Sequence, residues 1–220
     1  IEAKFGNGTA QLLNETARYS ALWMTYEDTI RVADLKTRRS RFQRVSAEAK
    51  IGAEQIMEVR EYLHPMSEEI ADTLPTPIGK WILRTKPVTK TIEKISENGI
   101  ILNTASVSGY ILLYFVARLK PIRPRSLRYN LEQERIENWL AKISEVAPKN
   151  YQLACEIAEC ANVIKGYGDT HRNGWRNFTA IMAEVDRVSD NSDAASRIKE
   201  LRLAALADED GTKLRNYLNA

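Results

Sequence analysis

Apolar residues at helical spacing, uninterrupted by proline from Thr9 to about Met57, constrain this chain more than any motif in it. Leu12, Leu13, Thr16, Ala17, Tyr19, Ser20, Trp23, Met24, Glu27 and Ile30 follow the i, i+3, i+4 rule of an amphipathic helix, after a start signal at Asn7, Gly8 and Thr9. This opening helix, or helix pair, ends in a basic group at Lys36–Arg44. A further helix is expected over Ser46–Leu63, with Ile51, Gln55, Ile56, Val59 and Leu63 on one side, stopping at His64 before Pro65.

The helical period returns later in the chain. Leu131, Ile136, Trp139, Leu140 and Ile143 mark Leu127–Val146, and Leu153, Ile157, Ala161 and Ile164 mark Asn150–Lys165, with Asn150 as cap. Helices over Thr170–Val188, Ala194–Ala207 and Thr212–Leu218 complete the pattern. The irregular part is His64–Pro87, where Pro65, Pro75, Pro77 and Pro87 leave room for short helices at Ser67–Thr73 and Ile78–Thr85. Asn98-Gly99 reads as a turn. Ile100, Ile101 and Leu102 fit either a short strand or the entrance to a buried helix, the helix being favoured from Ser106 onward. Val107, Tyr110, Ile111, Leu112, Leu113, Tyr114, Phe115, Val116 and Leu119 are apolar nearly all round, which predicts a central helix wrapped by others.

The expected fold is therefore all-α, a multi-helix bundle with at most one short extended segment near 100–104. Hydrophobic residues make up 44% of 220, enough for one helical domain over 1–220 or two packed halves. The chain starts with Ile1 and has neither a basic nor an apolar leader, so it reads as a fragment without a signal peptide, its upstream domain missing. The longest apolar run, Tyr110–Ala117, is about half of what crosses a bilayer, so no membrane span is expected.

Chemistry-bearing residues are sparse. Cys155 and Cys160 stand about 140° apart around a helix, too far round to bond to each other, and they suggest buried thiols in a reducing, cytoplasmic setting. Two cysteines and two histidines cannot build an iron–sulfur or zinc site alone, so no metal site is expected. No phosphate-binding Gly-Lys-Ser/Thr loop, nucleophile elbow or triad is present, and His64 beside Pro65 reads as a loop residue. Trp23, Trp81, Trp139 and Trp175 sit among apolar neighbours and are expected to anchor the core.

One segment concentrates polar groups. Lys165-Gly166-Tyr167-Gly168-Asp169-Thr170-His171-Arg172 joins two helices, and the freed N–H groups of the second could hold an anion, with Lys165 or Arg172 adding charge. Gly166, Gly168, Asp169 and His171 also fit a plain tight turn with its cap and a local hydrogen bond. Two basic groups form the other candidate: Arg38, Arg39 and Arg41 with Lys36 and Arg44, and Arg123, Arg125 and Arg128 with Arg118 and Lys120. Arginine forks recognise carboxylates on a partner protein or neighbouring domain, and such a face also fits plain solvation or pairing with the many Glu residues nearby; nucleic acid is disfavoured because no aromatic-interleaved strand accompanies them.

Ser106-Val107-Ser108-Gly109-Tyr110, Arg123-Pro124-Arg125-Ser126-Leu127-Arg128-Tyr129, Glu132–Leu140, Ile157-Ala158-Glu159-Cys160 and above all Lys165–His171 together resemble one known region. It is the helical C-terminal part of long bacterial beta subunits in the indolepyruvate ferredoxin oxidoreductase family, matched over roughly Arg38–Val185. The resemblance implies a place in a 2-oxoacid:ferredoxin oxidoreductase, which decarboxylates aryl 2-oxoacids oxidatively to acyl-CoA. It places thiamine diphosphate and the iron–sulfur clusters in other parts, the alpha subunit above all, and an α/β domain of gamma type upstream. It carries over no catalytic residue to this chain. The role it implies is that of an accessory domain, with the alpha subunit and the upstream domain as partners and ferredoxin as a further one. The alternative is a stand-alone small-molecule or anion-binding module centred on 165–171.

Overall fold

The computed structural model describes residues 10–25, 29–52, 54–63, 66–97, 99–166, 168–208 and 210–218. In chain order these form α1 (Ala10–Thr25), α2 (Thr29–Thr37), α3 (Arg39–Glu48), β1 (Arg60–Leu63), α4 (Ser67–Thr73), α5 (Thr76–Arg84), α6 (Lys86–Ser96), β2 (Ile100–Asn103) and α7 (Val107–Arg118). A 3₁₀ turn at Lys120–Arg125 leads to α8 (Leu127–Val146), α9 (Tyr151–Cys160), a second 3₁₀ turn at Ala161–Val163, α10 (Gly168–Val188), α11 (Ala194–Ala207) and α12 (Thr212–Leu218). The fold is all-α apart from one small sheet. The expected start signal at Asn7–Thr9, and His64, Pro65, Asn98 and Tyr167, lie outside the described residues.

The chain forms two compact units, one built from its beginning up to Tyr26 together with everything from Glu134, the other from Glu27–Gln133. The first unit holds the larger core. Leu12, Tyr19 and Trp23 of α1 belong to one buried cluster with Trp139, Ile143, Leu153, Ile157, Ile181, Ile198, Leu201 and Leu214. Its centre is aromatic: Trp23 lies 5.7 Å from Trp139 and 5.5 Å, edge-on, from Phe178, while Trp175 stacks on Phe178. The Trp139 indole N–H donates to the Ile157 carbonyl at 2.9 Å, so its polar edge is satisfied in the interior. Asn150 caps α9 as its sequence position suggests, its side chain accepting from the Leu153 N–H at 3.0 Å.

The second unit buries few large side chains, chiefly Ile30, Ile82, Leu113 and Leu127. Here β1 pairs antiparallel with β2, Arg60 opposite Asn103 and Tyr62 opposite Ile101, so the extended segment near 100–104 is a strand. The helix expected over Ser46–Leu63 does not form. Helix α3 stops at Glu48, Lys50 takes a left-handed φ of 52°, and the described residues from Ile51 to Val59 form no helix, the Gln55 N–H donating to the Gly52 carbonyl in a turn. The run Val59-Arg60-Glu61-Tyr62-Leu63 alternates between half-buried and exposed, a period of two that suits a strand once β2 supplies the ladder. Conversely, Pro87 starts a helix rather than ending one: it occupies the first turn of α6, where its missing N–H costs nothing.

Two further expectations fail in this unit. Trp81 is 57% exposed on α5 rather than a core anchor, because the inward side of that short helix is taken by Gly79 and Ile82. The apolar helix α7 is not wrapped by others. It buries Gly109 and Leu113, and α2 packs along it, but Val107, Ile111, Leu112 and Phe115 face outward, Phe115 66% exposed and Val107 77%. The sequence is apolar on both sides while the unit supplies a cover for one. Among the described residues no helix is long and apolar enough to cross a membrane.

Candidate functional site

The Lys165–Arg172 junction belongs to the first unit, between the second 3₁₀ turn and α10. Gly166 and Gly168 both adopt positive φ, 78° and 55°, which is how the chain turns from one helical segment into the next. Gly174, one turn into α10, lets that helix lie against the backbone of Val163 and Ile164; a Cβ there would come within 2.6 Å of the Val163 carbonyl oxygen. Asp169 lies inside the first turn of α10 rather than capping it, and its carboxylate pairs with Arg172. Lys165 is exposed and His171 half-buried. The negative charge of Asp169 thus occupies the helix start at which an anion would have to dock, and Arg172 is engaged with it.

At Gly166 a Cβ would also press on the Thr170 side chain, 2.7 Å from its Cβ. Gly166→Ala is expected to cost about 1–3 kcal/mol by combining left-handed strain with that overlap, whereas Gly168→Ala, which meets no atom within 4 Å, should cost only the strain. Chemical denaturation of the two variants checks this; equal losses would mean that the turn is shaped by φ alone.

Both cysteines are buried in α9, and burial pushes each thiol pKa up, so neither is a ready thiolate. No group of three or more His, Cys, Asp or Glu among the described residues is arranged to hold a metal ion. A pair of inert thiols is the wrong donor set for an iron–sulfur cluster, which needs about four thiolates.

The two arginine groups lie in the second unit and the structure joins them. Helix α2 packs on α7 and on the 3₁₀ turn, and the charges of Arg38, Arg31 and Lys120 converge on Asp34. The Arg38 hydrogen bond at 2.6 Å is the main reason that Asp34 titrates below the usual carboxylate range, against a smaller opposing effect of burial. Lys36 and Arg41 both pair with Glu61 of β1, whose side chain is largely buried. Arg128 pairs with Glu132, Nε to Oε1 at 2.7 Å, and Arg123 lies over the Tyr129 ring at 5.7 Å. The turn that carries Arg123 and Arg125 is tied down by Leu127 N–H to the Leu74 carbonyl at 2.9 Å and by the Thr76 hydroxyl to the Arg125 carbonyl.

Of the six arginines singled out in the sequence, Arg41 and Arg128 therefore brace separate segments of the unit, through Glu61 and Asp72, while Arg38 pairs locally with Asp34. Arg39 and Arg125 are exposed and make no ion pair among the described residues. Sequence reading missed a third basic group on α5 and α6: Lys80, Arg84, Lys86, Lys90 and Lys94 are all exposed and likewise form no ion pair among the described residues. The i, i+4, i+8 spacing of Lys86, Lys90 and Lys94, which lines one helix face, was the available signal.

A family of unknown function, DUF6537, matches residues 2–184. The chain belongs to DUF6537. No curated protein and no solved structure matches it. The DUF6537 span contains all three basic groups and the Lys165–Arg172 junction, but it stops short of Ile198, Leu201 and Leu214, which are fully buried in the core of the first unit. The folded unit is thus larger than the family match.

Proposed function

We propose that this chain is a non-catalytic docking domain of a 2-oxoacid:ferredoxin oxidoreductase of the indolepyruvate type, working in the cytoplasm. In this reading it binds the alpha subunit that carries thiamine diphosphate and the iron–sulfur clusters, together with a gamma-type α/β domain, and its cationic surface also serves ferredoxin. The resemblance of Lys165–His171 and its companions supplies the enzyme. The observation that carries the docking role is the exposed, internally unmatched charge of the second unit: 18 Lys and Arg stand against 13 Asp and Glu, a net +5 in a chain of net +3. Exposed cations of this kind raise association rates and select acidic partners more than they add raw affinity.

The chain's own residues do not fit the cofactors of such an enzyme. It lacks a Gly-Asp-Gly stretch of the thiamine-binding type, and its two thiols are buried and protonated. Its contribution is to position, not to react. The alternative reading, an anion-binding module at 165–171, is weakened by the Asp169–Arg172 pair at the helix start.

Co-purification with the alpha subunit and the α/β domain at low and at high salt tests the proposal. Association at low salt should weaken markedly at about 0.5 M salt, where the Debye length falls to a few ångströms. Arg39→Glu with Arg125→Glu should weaken it at least tenfold. No association at either salt would sink the reading.

A further inference from the structure

The outward stripe of α7 is an apolar feature that the packing of the second unit leaves uncovered. Val107, Ile111 and Phe115 recur at i, i+4 and i+8 on the side of the helix away from buried Gly109 and Leu113, and exposed Leu112 extends the stripe along one edge. Arg118 continues the same line one turn on. Its Nε donates to the Tyr114 hydroxyl at 2.9 Å and its guanidinium lies 4.9 Å from that ring, so the charge is held at the end of the stripe rather than swinging free. Lys120 and Arg125 follow, both exposed. From residue 98 to 131 there are five Lys and Arg and no Asp or Glu. The setting fits the unit as a whole: of the 21 large apolar side chains exposed among the described residues, 17 lie in Glu27–Gln133.

Soluble surfaces of this kind mark partner sites. We propose that this stripe, Val107, Ile111, Leu112 and Phe115 closed by Arg118, seats a partner protein whose facing surface is apolar at its centre and rimmed by Asp and Glu. The charge decides among occupants. A second copy of this chain would bring the same acid-free segment and offer Arg118 no carboxylate. An anionic membrane would suit cations on both flanks of an apolar helix, but within α7 and its flanking turns they stand at the C-terminal end alone, while Ser106 and Ser108 mark the other. A guanidinium fixed by a tyrosine matches the bidentate geometry of a carboxylate. The inference rests on the docking role above and adds the place and the chemistry of the contact.

The test uses Val107→Cys carrying an environment-sensitive fluorophore, with Glu200→Cys on α11 as control; both native cysteines are buried, so labelling is selective. Adding the thiamine-bearing alpha subunit should shift the emission to the blue at 107 and leave 200 unchanged. Ile111→Ser with Phe115→Ser, and separately Arg118→Glu, should each weaken binding at least tenfold without altering the circular dichroism, since all three side chains are exposed. If the subunit binds but the label stays silent and the variants bind normally, the stripe is overturned while the docking role stands. If the subunit does not bind, the docking role itself fails and takes the stripe with it. A shift produced by the labelled chain's own concentration, or by phosphatidylserine vesicles, would overturn the acidic-partner assignment in favour of a second copy or a membrane.

Discussion

Arg202→Ala is expected to destabilise the first unit by about 3–5 kcal/mol, the range seen when one member of a buried charged group is removed. The side chain is 8% exposed and sits 2.8 Å from both Glu156 and Glu159 of α9. Burial alone would lower the proton affinity of its guanidinium; the hydrogen bond to Glu156 and the charges of both glutamates outweigh this and hold the pKa above the usual arginine value. Without Arg202 the two carboxylates, three residues apart on one helix, are left facing each other with no cation between them. Urea unfolding of the variant checks it, with Arg202→Met as the comparison that keeps the apolar stem and removes the charge. A methionine variant as stable as the native chain would mean that the alanine loss is packing of the arginine stem, not charge.

Trp139→Ala should cost a similar amount, about 3–5 kcal/mol, through a cavity at the aromatic centre of the same unit. Trp139 is 2% exposed, packs on Trp23 and donates to the Ile157 carbonyl, so the alanine variant loses ring contacts and a buried hydrogen bond together. Trp139→Phe separates the two: it keeps much of the volume and should lose about 1–2 kcal/mol. Tryptophan fluorescence in a denaturant series can follow both variants. Trp23 and Trp175 remain as reporters in the first unit, and Trp81, already exposed, changes little. Equal losses in the two variants would show that the hydrogen bond, not the ring volume, dominates.

Where local pattern and tertiary cover agree, the sequence could be read closely. The helices Ala194–Ala207 and Thr212–Leu218 have the limits that their spacing and flanking turns indicate, and Asn150 caps α9. Gly166 and Gly168 could be recognised as a turn because two glycines between periodic segments have few other uses. The failures share a cause. Periodicity states that one side of an element is apolar, but it does not state whether anything covers that side. Periodicity therefore places Trp81 and the stripe of α7 in a core, whereas the small core of the second unit covers neither. The segment before β1 misled for a related reason: Ile56, Val59 and Leu63 suit a helix and a strand alike, and the ladder with β2, some forty residues away, decides. Of the candidate site residues, the arginines were found but their division into internal braces and exposed charges was not, since Glu61 and Asp72 reach Arg41 and Arg128 only through the fold.

The interleaving of the two units has a consequence for how the chain is made. Helix α1 leaves the ribosome well before its core partners Trp139, Ile157 and Phe178, which are encoded more than a hundred residues later. At about 5–20 residues per second, Leu12, Tyr19 and Trp23 wait for roughly 5–25 s as an exposed apolar helix. The intervening segment Glu27–Gln133 is complete by then and can fold meanwhile, so α1 is a nascent segment that a translating cell must shield from aggregation until the second half arrives.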